Sequence, residues 1–103
     1  MSVKEEIKDV LDVNKFLFAL LNDYKQVIKD KTTALLTSCF ELASAVGNKD
    51  YNEKAEKTAF ALNDYIRALH FRRCILEDIK ENFDYIAELK NGAYEETNKK
   101  RDN

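Results

Sequence analysis

From Asp50 to Gly92 the chain runs for some forty residues without a proline or an internal glycine. Nothing in that stretch supplies ordinary turn chemistry, and its apolar residues recur at three-and-four spacing: Ala59, Leu62, Ile66, Leu69, Leu76, then Ile79, Phe83 and Ile86. That rhythm belongs to a packed helix, so whatever precedes it must supply the surface it packs on. The whole chain has two glycines, no proline and no tryptophan. Length and composition indicate one folded helical domain.

The preceding arm repeats the pattern. Ser2 with Glu5 fits a capping box, and Glu5, Glu6 and Asp9 suit the positive end of a helix dipole. Ile7, Val10, Leu17, Leu21, Tyr24 and Ile28 keep one face, which Leu35, Cys39, Leu42 and Val46 continue. Asn14 and Lys31 interrupt it. Gly47 is a helix C-cap candidate, and Gly47-Asn48-Lys49-Asp50 is the clearest turn. Asp50 with Glu53 can open the next helix, and Gly92 can close it. The expected domain covers 1–92, with helices over about 3–46 and 51–91 and a turn at 47–50; 93–103 is expected to be a flexible charged tail.

A short connection makes antiparallel neighbours, so the fold class is all-α, a long antiparallel helical hairpin. Two such helices bury only one stripe each, which is thin support for the chain. Phe16 to Leu21 is apolar on every side, and Phe60, Phe71 and Ile75 lie off the main stripe of the second arm. The reading is therefore that hairpins dimerise into a four-helix bundle. The alternative is a monomeric three-helix bundle, with helix one broken at Asp30-Lys31-Thr32-Thr33 near residue 30. Phe16, Phe18, Leu20, Phe60, Phe71 and Ile75 form the expected partner or self-interface, to which Tyr51, Tyr65, Tyr85 and Tyr94 can add contacts.

Charge narrows the partners. The net charge is −2, and acidic and basic residues balance within residues 1–47, 48–92 and 93–103 alike. No segment is basic enough for nucleic acid to be expected. The charged N-terminus lacks the apolar core of a signal peptide, and the longest apolar run, Phe16 to Leu21, is far too short to cross a membrane. Cys39 and Cys74 make no metal or redox motif and read as reduced, buried apolar residues of a cytoplasmic protein. Arg73 projects near the centre of the second arm's stripe, so it needs a carboxylate or a bound anion; Asp23 lies at the facing level of the first arm. His70 stands alone and reads as a boundary residue.

One pattern points to chemistry. Glu53-x-x-Glu56 and Glu81-x-x-Asp84 resemble the ExxE…ExxD magnesium-binding set of the MazG-like all-α nucleotide pyrophosphohydrolases. The resemblance implies Mg²⁺ held by four carboxylates against a diphosphate. Both pairs lie on one predicted helix, however, where Glu53 can instead pair with Lys57. The preferred expectation is a small non-enzymatic protein-binding module, a regulator, inhibitor or assembly factor, which self-associates and needs no cofactor, small molecule or catalytic residue. The magnesium-dependent hydrolase is the alternative.

Overall fold

The structure is a computed structural model; it describes the backbone of residues 2–102 and the side chains of residues 2–92. It is an all-α helical hairpin. Helix α1 spans Val3–Ser44 and helix α2 spans Tyr51–Asp102. α1 starts where its cap predicts: the Glu5 N–H donates to the Ser2 hydroxyl at 3.2 Å, and the Glu6 N–H to the Ser2 carbonyl at 3.0 Å. The helix does not break near residue 30. Thr32 and Thr33 turn their hydroxyls back onto the carbonyls of Ile28 and Lys29, at 2.8 and 3.1 Å, and Gln26 donates to the Asp30 carboxylate at 2.8 Å. These side chains are satisfied along the helix rather than capping a new one.

The connection turns at Gly47, whose φ of 83° is left-handed. The Asn48 N–H reaches back to the Ala45 carbonyl at 2.8 Å, and the Lys54 N–H to the Asp50 carbonyl at 3.0 Å. Gly92 does not end α2. Its φ is not positive, and the helix continues to Asp102. The side chains after Gly92, including that of Tyr94, lie outside the described residues; the backbone of 93–102, expected as a flexible tail, belongs to α2.

The chain divides into two compact units, Asn22–Cys74 and Met1–Leu21 with Ile75–Asn103. In the unit that holds the turn, Glu41 meets Lys54, Thr58 meets Ser38, Lys31 meets Asp64 and Tyr24 meets Phe71. One number falls as the other rises, which is antiparallel pairing. Small residues line this contact: Ala45 and Ala68 are buried, and the Thr58 hydroxyl lies within 3.1 Å of the Ser38 backbone carbonyl, so the helices approach closely. In the other unit Ile75, Ile79 and Ile86 are buried. Asn14, 2% exposed, sits among them as the one buried polar side chain of the described residues.

The residues turned inward define the seam of each helix. On α1 they fall at 7, 10, 14, 17, 21 and so on to 45, alternating steps of three and four. On α2 the same alternation runs through 54, 58, 61, 65 and 68 and again through 75, 79, 82, 86 and 89, with the seam position between them, Arg72, exposed. A repeat of 3.5 residues is that of a coiled coil. This corrects the expected face of α2. Leu62, Ile66, Leu69, Leu76 and Phe83 lie one position beyond the seam and are exposed. Cys39 is exposed rather than buried and Cys74 half-buried; both are free thiols.

Candidate functional site

A seam at heptad positions a and d leaves two flanks on each helix. Two contacts fix how the flanks face each other in the Ile75-containing unit. The rings of Phe18 and Phe83 meet with centroids 6.4 Å apart on one side of the seam. On the other side the Tyr85 hydroxyl donates to the Glu6 carboxylate. That hydrogen bond, with burial and the negative charges of Glu6 and Glu88, raises the Tyr85 pKa above its ordinary value.

The flanks are apolar to an unusual degree. Phe16 is 68% exposed, Phe60 77% and Phe40 74%. In the Asn22–Cys74 unit, Ala55, Ala59, Leu62, Ile66 and Leu69 make a second heptad stripe on α2, beside the seam rather than in it. Leu36 and Val46 are exposed on the same side of α1. Such a stripe is built like a coiled-coil seam but has no helix of this unit laid on it.

The expected interface residues divide. Phe16, Phe18, Phe60 and Phe71 are exposed; Leu20 is half-buried; and the Phe71 ring leans on Tyr24 at a centroid distance of 4.8 Å. Ile75 is a correction. It is 4% exposed and belongs to the seam, because the packed face of α2 lies one position from the expected one. Arg73 moves for the same reason. It lies on an outer flank, exposed, and among the described residues no ion pair joins it to Asp23, which is exposed as well. A guanidinium in water needs no buried carboxylate. His70 is exposed, with its Nε2 3.6 Å from the Cys74 sulfur one turn on.

The four carboxylates of the hydrolase pattern are not brought together. Glu53 and Glu56 belong to one unit and Glu81 and Asp84 to the other, along one continuous helix. Glu53 pairs with Lys57 at 3.6 Å and Asp84 with Lys80 at 3.1 Å. Among the described residues no three His, Cys, Asp or Glu side chains are grouped closely enough to hold a metal ion. A shallow groove of about 420 Å³ beside the turn is lined by Phe40, Glu41, Asn48, Asp50 and Lys54, of which Glu41 and Lys54 already pair at 3.6 Å.

Sequence reasoning missed the exposure of Phe40, Leu36 and Ile66, and the pairing of Asn14 with Asn82. The heptad spacing of Asn14 from Ile7 and Leu21 was the available signal. Among the described residues no helix is long and apolar enough to cross a membrane. The chain matches no family model, and no curated protein or solved structure is significantly similar to it.

Proposed function

We propose that the chain is a small non-enzymatic protein-binding module, a regulator, inhibitor or assembly factor, which also associates with itself through its exposed apolar flanks. The carrying observation is the contrast between core and surface. Ala45, Ala68, Ile75, Ile79 and Ile86 are the buried apolar side chains among the described residues, whereas Phe16, Phe40 and Phe60 are more than two-thirds exposed. Scattered surface apolar residues are ordinary; a stripe at heptad spacing such as Leu62, Ile66 and Leu69 is the pattern another helix packs against. Two hairpins laid side by side would form a homodimeric four-helix bundle and remove that surface from water. A reducing, cytoplasmic setting belongs to this reading, supported by the two free thiols.

Light scattering across a dilution series tests it, with Phe60→Asp and Ile66→Asp beside the parent. The expected result is a parent species heavier than one chain, shifted towards the monomer in both variants while circular dichroism keeps its helical signal. A parent that stays monomeric at every concentration, or variants of unchanged mass, would overturn the self-association.

A further inference from the structure

The charges that balance along the sequence segregate across the Ile75-containing unit. Every basic side chain described in it lies on the Phe18–Phe83 side: Lys4, Lys8, Lys15, Lys80 and Lys90, at the positions that flank the seam there. No acidic residue shares those positions; Glu5 and Asp12 border them, and Asp84 neutralises Lys80 at 3.1 Å from the outward ridge. The side is grooved as well as basic. A hollow of about 400 Å³ is lined by Lys8, Leu11, Asp12, Lys15, Phe18 and Phe83, two lysines against one carboxylate. It continues through Lys8 and Leu11 into one of about 540 Å³ that reaches Lys4, Glu5 and Ile7, and from Lys4 and Ile7 into one that reaches Lys90.

The opposite side, marked by the Tyr85–Glu6 hydrogen bond, is its complement. Glu6, Asp9, Asp78, Glu81 and Glu88 occupy the flanking positions there, with no basic residue among them. They surround Val13, 51% exposed, the open ring of Phe16, and Tyr85. Each side thus offers an apolar centre, with lysines in excess over the bordering Glu5 and Asp12 on one side and carboxylates alone among the flanking charges on the other.

We propose that the occupant of the lysine-lined groove is the acidic side of a second copy of this chain. The inference rests on the self-association proposed above and replaces its two-fold bundle with a contact between unlike sides of this unit. A two-fold pair made through either side alone would set lysine against lysine or carboxylate against carboxylate, which is destabilising. Placing unlike sides together matches charge with charge and covers Phe16 of one copy with the groove around Leu11 and Phe18 of the next. That contact is heterologous, so each added copy presents a fresh groove at one edge and a fresh acidic side at the other.

The test uses the full chain and two charge reversals at exposed positions, Lys8→Glu with Lys15→Glu in one variant and Glu81→Lys with Glu88→Lys in the other. Mass is followed by light scattering and helicity by circular dichroism. The parent should associate, and its apparent affinity should fall about tenfold or more between roughly 0.05 M and 0.5 M salt. Each variant alone should be monomeric and helical, and an equimolar mixture should associate again, because unlike sides are restored between the two. Rescue in the mixture also shows that both variants are folded.

A parent that associates while one variant keeps its mass, or a mixture that stays monomeric, would overturn the unlike-sides contact and leave self-association standing. A parent that never associates would overturn both. A parent monomeric alone that sediments with vesicles rich in phosphatidylserine would assign the lysine groove to an anionic surface and overturn the second-copy assignment.

Discussion

The Asn82 side-chain amide donates to the side-chain oxygen Oδ1 of Asn14 at 2.8 Å, in a unit whose buried apolar residues are Ile75, Ile79 and Ile86. Asn14 uses its own amide on the Ile79 carbonyl at 3.3 Å. A satisfied polar pair of this kind fixes which residues face each other at a cost in stability. Asn14→Ala should therefore destabilise the hairpin by about 1–3 kcal/mol. Replacing both partners, as Asn14→Leu with Asn82→Leu, should restore or exceed the parent stability and lose register uniqueness. Urea unfolding and the number of resolved amide resonances check this. A double variant as unstable as Asn14→Ala would contradict it.

The two glycines should respond with opposite signs. A Cβ at Gly47 meets nothing within 4 Å, so only its positive φ opposes a side chain. Gly47→Ala should cost about 1–2 kcal/mol. Gly92 is helical and equally open, and Gly92→Ala should stabilise by up to about 1 kcal/mol. Thermal melts of the two variants should move apart; a loss at Gly92 would mean that the glycine does end a helix.

Alkaline pH should act through Tyr85. Its proton is held by the hydrogen bond to Glu6, so the folded state releases it at higher pH than the unfolded chain does. The stability this contributes is complete below the ordinary tyrosine value of about 10 and is lost as pH rises through the raised folded value. Ultraviolet titration of tyrosinate should show one late group that is absent in Tyr85→Phe and moves back towards the ordinary value in Glu6→Gln. An unchanged profile in Glu6→Gln would remove that carboxylate as the cause.

Lys31 occupies a seam position, where its ammonium reaches the Asp64 carboxylate at 3.1 Å while both side chains remain nearly half exposed. A pair that is so well solvated contributes only about 0–1 kcal/mol. Lys31→Leu should raise the melting temperature by extending the apolar contact between Ile28 and Leu35, and Asp64→Asn should shift it little. A marked loss in either variant would give the ion pair a larger role than its exposure allows.

The hairpin, its turn at Gly47 and the facing levels were legible in the sequence, because periodicity and a left-handed glycine are local signals. The phase of α2 was not. Its true seam carries Thr58, Ala61 and Ala68, whose value is the close approach they permit, whereas the neighbouring Leu62, Ile66 and Leu69 score higher by hydrophobicity alone. That one-position error put Ile75 outside and Arg73 inside. The charged sides were hidden for a related reason. Lys8 and Asp9 are adjacent in sequence and cancel in any segment count, yet they fall on opposite flanks of one helix.

The turn also orders events in time. Partners near Gly47 are close in sequence: Thr58 and Ser38 are 20 residues apart, Lys31 and Asp64 33. Asn14 and Ile79 are 65 apart, and Glu6 and Tyr85 79. Loop-closure entropy favours the short closures first, so folding should zip outward from the turn and hydrogen exchange should release the far end earliest. The last contacts to form are then those that hold the lysine groove and its acidic complement in place, which makes both surfaces a property of the fully zipped chain.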